Sequence, residues 1–182
     1  EKNKIIITGN PVRQGLINHN ISREKAIETF GLNPKKKTIL ILGGSLGART
    51  INQCLMENLE VIKQSEVQFI WQTGKIYINE AHAAYVKAGS PTMIHVTDFI
   101  SDMATAYQAA DLIISRAGAG SISEFCLLAK PVILVPSPNV AEDHQTQNAL
   151  ALVNKNAAIY VKDIEAKNLL INKAIETVNQ SE

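Results

Sequence analysis

Asp111-Leu-Ile-Ile-Ser-Arg-Ala-Gly-Ala-Gly-Ser-Ile-Ser-Glu124 runs a β-branched, apolar stretch into a glycine turn and then into a helix start that bears a carboxylate. Glycine at positions 118 and 120 lets the backbone approach a ligand closely or take φ > 0, and the amides of a following helix start have no intrahelical acceptor. An anion is the natural occupant of such a site. Glu124 repels a phosphate but accepts hydrogen bonds from hydroxyls, so the segment fits an anionic group joined to a sugar, as in a nucleotide. The same residues admit a plainer reading. Ser121-Ile-Ser-Glu124 matches a capping box, with Ser121 at the N-cap and Glu124 reaching back to its amide.

A second loop has the same design. Lys37-Thr-Ile-Leu-Ile-Leu42 reads as a buried strand and leads directly into Gly43-Gly44-Ser45-Leu46-Gly47-Ala48, after which Ile51, Leu55, Leu59 and Ile62 keep helical spacing. No Gly-Lys-Ser/Thr closes the loop and it lacks the G-x-G-x-x-G order, so it is neither a Walker A loop nor a dinucleotide fingerprint. It also fits an ordinary tight turn between strand and helix. Two such loops can meet over one ligand at the carboxyl edge of a parallel sheet. Asp143-His144-Gln145 follows the proline-closed run Pro131-Val-Ile-Leu-Val-Pro136 and adds polar groups at that same edge. Glu142 and Asp143 equally suit a helix first turn.

The elements that position these loops alternate along the chain. Strands are expected near 38–43, 67–72, 92–96, 111–115, 132–136 and 158–161, with an earlier one at Lys4–Thr8. Helices are expected near 22–30, 47–64, 76–88, 101–110, 120–129, 142–154 and 164–178. Alternation of this kind predicts right-handed βαβ units and an α/β fold, a Rossmann-like open parallel sheet with helices on both faces. The 182 residues suit one domain.

A net charge of +1 gives no general drive toward nucleic acid or anionic lipid. Lys35-Lys36-Lys37 reads as a solvated loop before a strand. Cys54 and Cys126 lack disulfide-framework or zinc spacing, which fits a reducing compartment. No apolar run approaches the ~20 residues of a membrane span. The apolar residues at the start, with nothing before them, and the uncapped end both suggest a fragment. His19, His82 and His95 read as structural or exposed, and Trp71 and Tyr77 as packing groups.

Taken together, Gly9-Asn-Pro-Val-Arg13, Gly43-Gly-Ser-Leu-Gly-Ala48, Phe99-Ile-Ser-Asp-Met103, Arg116-Ala-Gly-Ala-Gly-Ser-Ile-Ser-Glu124 and Asp143-His-Gln-Thr-Gln-Asn-Ala149 closely resemble the carboxyl-terminal half of the MurG family. These are bacterial transferases that move N-acetylglucosamine (GlcNAc) from UDP-GlcNAc to lipid I, forming lipid II in peptidoglycan synthesis. The resemblance spans nearly the whole chain, with the motifs in family order. It implies one half of a GT-B glycosyltransferase, with residues 1–182 as a single donor-binding domain. The catalytic base, the lipid I acceptor surface and the membrane-facing patch belong to the family's other half, and none of their motifs occurs here. The family is cytoplasmic and peripheral at the inner face of the membrane, and handles the donor phosphates without a metal or cofactor.

Residue by residue, the resemblance assigns Arg13 to the donor diphosphate and, in the loop holding Gly44, Ser45 to a hydrogen bond with that diphosphate. Ala119, Gly120 and Ser121 become the helix start turned toward the phosphates, continued by Ile122 and Ser123. Glu124 becomes the acceptor for the ribose hydroxyls. The Ile100 main chain reads the uracil edge, with Phe99 and Met103 packing on the base or in the core. Gln145 binds hydroxyls of the GlcNAc ring, with His144 beside it at a more variable position. Related alternatives are a stand-alone donor subunit of a two-chain GlcNAc-transferase and a UDP-GlcNAc 2-epimerase.

Overall fold

In the computed structural model, residues 9–17, 20–44, 46–138 and 143–180 are described. The expected strand at Lys4–Thr8, His19, Ser45 and Glu142 lie outside them. Six parallel strands form one sheet: β1 (Thr38–Leu42), β2 (Gln68–Gln72), β3 (Ile94–Thr97), β4 (Leu112–Ser115), β5 (Val132–Leu134) and β6 (Ile159–Tyr160). Their order is β3-β2-β1-β4-β5-β6. The central strands are buried along their whole length, as near-continuous apolar runs require when helices cover both faces.

The alternation of side chains along β1 divides the core in two. Ile39 and Ile41 join Phe69, Trp71, Leu112 and Ile114 in one layer. It is covered by α2 (Arg49–Glu57), α3 (Leu59–Gln64), α4 (Ile78–Lys87) and α8 (Asp163–Gln180). Leu40 and Leu42 join Ile70, Ile113, Val132 and Leu134 in the other. That layer lies under α1 (Arg23–Thr29), α5 (Met103–Ala109), α6 (Ala119–Leu128) and α7 (His144–Val153).

The single helix expected over 47–64 is two, α2 and α3. Asn58 leaves helical geometry at φ −112°, ψ 17°. Its side-chain amide donates to the Cys54 carbonyl at 2.8 Å. That bond satisfies a carbonyl exposed at the break.

At the amino-terminal edge of the sheet, the Arg23 guanidinium donates to both carboxylate oxygens of Asp111, at 3.0 and 2.5 Å, and to the Pro34 and Lys36 carbonyls. Asp111 also accepts the Thr38 amide at 2.7 Å, so one ion pair staples α1 to the starts of β1 and β4. The opposite edge carries the loops that follow each strand. There the turns after β1 and β2 interlock: a Cβ on Gly74 would sit 2.2 Å from the Gly47 nitrogen, and one on Gly47 would sit 2.5 Å from the Thr73 carbonyl oxygen. Both glycines have positive φ, so side chains are excluded on two grounds. Buried Asn52 holds this junction, donating to the Thr73 carbonyl and accepting the indole N–H of Trp71, each at 2.8 Å. Trp71 is therefore a core residue, as expected.

Candidate functional site

Strand order reverses between β1 and β4, and at their carboxyl ends a cavity of about 280 Å³ opens. That is where an open α/β sheet is expected to take a ligand. Arg13, Gly44, Ile100, Ser121 and Gln145 line it, with Phe99 and Met103 beside Ile100. Residues from separate loops and helices thus converge on it, whereas Ala119, Gly120, Ile122, Ser123 and Glu124 do not line it.

Glu124 has a different structural setting from a capping box. Helix α6 begins at Ala119, its N-cap is Gly118, and no side chain caps it. Ser121 and Glu124 lie inside the helix, so the box is absent. The physical reason is that Gly118 already supplies a favourable N-cap before the helical start expected near 120. Burial then carries Glu124 inward against α5, where it is 6 % exposed. Its Oε2 accepts the Tyr107 hydroxyl and an Arg13 N–H, both at 2.7 Å. Among the described residues, no protein group donates to Oε1. Burial first, and then the hydrogen bond to Glu124, push the Tyr107 phenol well above its ordinary pKa, so it remains a donor at neutral pH.

The first-turn amides of α6, at Ala119, Gly120 and Ser121, precede the Ile122 amide, which is the first to bond back, to the Gly118 carbonyl. Gly118 and Gly120 do not use positive φ, and a Cβ at either would meet nothing within 4 Å. Of the two reasons for glycine offered by the sequence, close backbone access is the one consistent with this geometry. Ile122 packs into the core layer under α6. The Ser123 hydroxyl donates to the Ala119 carbonyl and accepts from the Asn10 amide, each at 3.0 Å, which ties the Arg13 segment to α6.

Gln145, in the first turn of α7, has a fixed orientation. Its Oε1 accepts two main-chain amides, Ser137 at 2.9 Å and Ala117 at 3.3 Å. Among the described residues, Nε2 donates to no protein group. His144, the first residue of α7, is exposed and is not among the residues lining the cavity.

Three contributors were given no role by the motif reading. Tyr107 is one. Gln72, at the end of β2 and 4 % exposed, donates to the Gly44 carbonyl at 3.2 Å and accepts the Ile100 amide at 3.3 Å, bridging the glycine loop to the loop after β3. Arg116 donates to the Val135 and Pro136 carbonyls, at 2.9 and 3.1 Å, and to the Asp163 carboxylate, which also accepts the Thr50 hydroxyl at 2.8 Å. Its guanidinium thus joins the loop after β5 to the starts of α2 and α8. Gln72 and Arg116 each carried a readable signal, a polar residue closing an apolar run at the carboxyl end of a strand.

A second cavity, of about 620 Å³, shares Arg116 and Gln145 and extends toward Arg49, Thr50 and Tyr77. A third, of about 660 Å³, lies at the amino-terminal edge between Leu112, Val132, Leu152 and Ile159. Among the described residues, no three His, Cys, Asp or Glu side chains gather where they could share a metal ion. Nor is any helix there long and apolar enough to cross a membrane.

The arrangement of loops at a strand-order reversal is shared by many nucleotide-binding sheets, and sequence comparison decides among them. The glycosyltransferase family 28 C-terminal domain matches residues 38–182. The chain belongs to that family. A UDP-N-acetylglucosamine–N-acetylmuramyl-(pentapeptide) pyrophosphoryl-undecaprenol N-acetylglucosamine transferase of Phocaeicola vulgatus is 77 % identical over all of this chain, which covers 48 % of that protein. The protein of the same name from Bacteroides fragilis is 68 % identical over 99 % of the chain, again covering 48 % of its length. Among solved structures, Acinetobacter baumannii MurG matches 89 % of the chain at 33 % identity with a TM-score of 0.68, over 48 % of the MurG chain. The chain therefore spans about half the length of the family 28 relatives it matches, and its sheet and helices follow the MurG carboxyl-terminal fold.

Proposed function

We propose that this domain binds UDP-GlcNAc as the donor half of an inverting glycosyltransferase that converts lipid I to lipid II. The observation that carries the reading is Glu124: a buried carboxylate held by Tyr107 and Arg13, which both line the cavity, with Oε1 unclaimed by donors among the described residues and the first turn of α6 just before it in the chain. A hydroxyl acceptor next to an anion site is the pairing a nucleotide needs. In this reading Glu124 accepts from the ribose hydroxyls, the Ile100 main chain meets the uracil edge, and Gln145 donates through Nε2 to GlcNAc oxygens. Arg13, Ser45 and the amides of Ala119, Gly120 and Ser121 take the diphosphate. Arg13 rests on Glu124 here, so engaging the phosphates requires its exposed guanidinium to swing away.

The acceptor C4 hydroxyl attacks the anomeric carbon with inversion, and UDP leaves. This half stabilises the charge that grows on the β-phosphate through cationic and amide donors. The base, the lipid I surface and the contact with the cytoplasmic face of the membrane are supplied by the other half of the longer relatives. The chain on its own then binds donor and transfers nothing; measurable transfer of GlcNAc to lipid I by the isolated domain would sink that division of labour.

The direct test is titration calorimetry with UDP-GlcNAc, UDP-glucose, UDP and GDP. Uridine ligands should bind well ahead of GDP, with UDP-GlcNAc ahead of UDP-glucose. Equal affinity for all four would remove the assignment. Incubation with UDP-GlcNAc and no acceptor separates an epimerase, which would release the C2-epimeric sugar.

A further inference from the structure

We propose that Tyr107 is the positioning residue that gives this cleft its selectivity for ribose, by pinning one oxygen of Glu124 and leaving the other to face the sugar diol. The inference rests on the reading of Glu124 as the ribose acceptor and goes beyond it.

A glutamate on a helix can place its carboxylate in several rotamers. Here the two donors that hold Oε2 differ in what they can fix. Arg13 reaches Glu124 from a side chain that is 55 % exposed, on a segment outside the helices. Tyr107 is 2 % exposed on α5, and its ring stands edge-on to Phe125 at 6.0 Å and 89°. Phe125 is the neighbour of Glu124 in α6, so the phenol is seated against the element whose carboxylate it holds. A hydroxyl fixed this way defines where Oε2 lies, and with it the plane of the carboxylate.

With Oε2 already accepting two hydrogen bonds, its lone pairs are filled, and Oε1 becomes the oxygen that meets a ligand hydroxyl. Should Arg13 turn toward a phosphate, the Tyr107 bond still holds the carboxylate in place. A buried phenol also needs an acceptor for its own sake, so a structural role alone would produce the same short contact. The two roles differ in what they do to ligand selectivity.

The experiment measures affinities for UDP, 2′-deoxy-UDP and 3′-deoxy-UDP on the unaltered protein, Tyr107→Phe and Glu124→Gln, with thermal melting of each. In the unaltered protein, loss of a ribose hydroxyl should weaken binding. In Tyr107→Phe, UDP affinity should fall while the deoxy analogues change little, so that the preference for UDP drops about tenfold, the scale of one hydrogen bond to a charged group. A uniform loss for all three ligands, with the preference unchanged, overturns the proposal and leaves Tyr107 a packing residue. Absence of any ribose preference in the unaltered protein, together with no effect of Glu124→Gln, overturns the ribose reading itself and this proposal with it. If Tyr107→Phe does not fold, 3-fluorotyrosine at position 107 decides: its more acidic phenol donates more strongly, so the preference should rise, and an unchanged preference overturns the proposal.

Discussion

Replacing Glu124 with alanine and with glutamine separates structural from ligand-binding contributions. The Tyr107 hydroxyl sits on a residue only 2 % exposed, and in Glu124→Ala it loses its acceptor. Such an unsatisfied buried donor costs about 1–3 kcal/mol. The Arg13 side chain is 55 % exposed. Its pair with Glu124 therefore adds about 1 kcal/mol at most, because solvent screens it. A loss of about 1–4 kcal/mol in a domain of this size lowers the melting temperature by about 2–16 °C. Glu124→Gln keeps an oxygen for Tyr107 and the same volume, so its stability should fall by less than about 1 kcal/mol. Both variants lose the charged acceptor at the cleft, and UDP affinity should fall by about 10- to 100-fold in each, from about 1.5–3 kcal/mol per charge-assisted hydrogen bond. Differential scanning fluorimetry and calorimetry read the two quantities separately. A glutamine variant that binds UDP within about threefold of the unaltered protein would refute the reasoning, since about 0.7 kcal/mol is too little for a lost charged acceptor.

Gln145→Glu keeps an oxygen for the Ser137 and Ala117 amides but replaces the Nε2 donors with a charge; UDP-GlcNAc affinity should approach that of UDP, measured by calorimetry, while the melting temperature stays nearly unchanged. Ala129 ends α6 in the left-handed region at φ 50°, ψ 37°. Ala129→Gly should therefore raise the unfolding free energy by about 1 kcal/mol in urea titrations. Burial pushes the Cys54 thiol up to about 11, so iodoacetamide at about pH 8 should label exposed Cys126 and spare Cys54, as read by peptide mass spectrometry. The same shift predicts a stability contribution that is complete below about pH 9, where the unfolded thiol begins to ionise, and lost as pH rises through about 11. Cys54→Ala should flatten that part of the stability profile.

The alternation of strands and helices was legible because the central strands are near-continuous apolar runs and the glycine loops after β1 and β4 mark strand ends. The segment from Asp111 to Glu124 was also legible as a strand running through a turn into a helix. Its local geometry was not legible: Ser121-Ile-Ser-Glu124 satisfies the capping-box spacing, yet Gly118 starts the helix earlier, and only the approach of α5 decides that Glu124 turns inward. Tyr107 stands 17 residues before Glu124 on another helix, in a stretch whose apolar spacing reads simply as core. Arg116 and Asp163 are 47 residues apart and meet only because β4 and the start of α8 share the carboxyl edge of the sheet. Pairings of this kind are products of topology, and local spacing carries no trace of them.

The sheet separates two apolar layers, and the cleft draws on both. Glu124 and Tyr107 belong to helices of one layer, whereas the glycine loop after β1 leads into α2 of the other. A nucleotide sugar lying across the strand reversal would be held by α6 on one side and by the glycine loop leading into α2 on the other, clasping together layers that otherwise meet through the sheet. Hydrogen exchange should register that clasp: α6 and α2, on opposite layers, would gain protection together as donor saturates the domain, although the sheet stands between them.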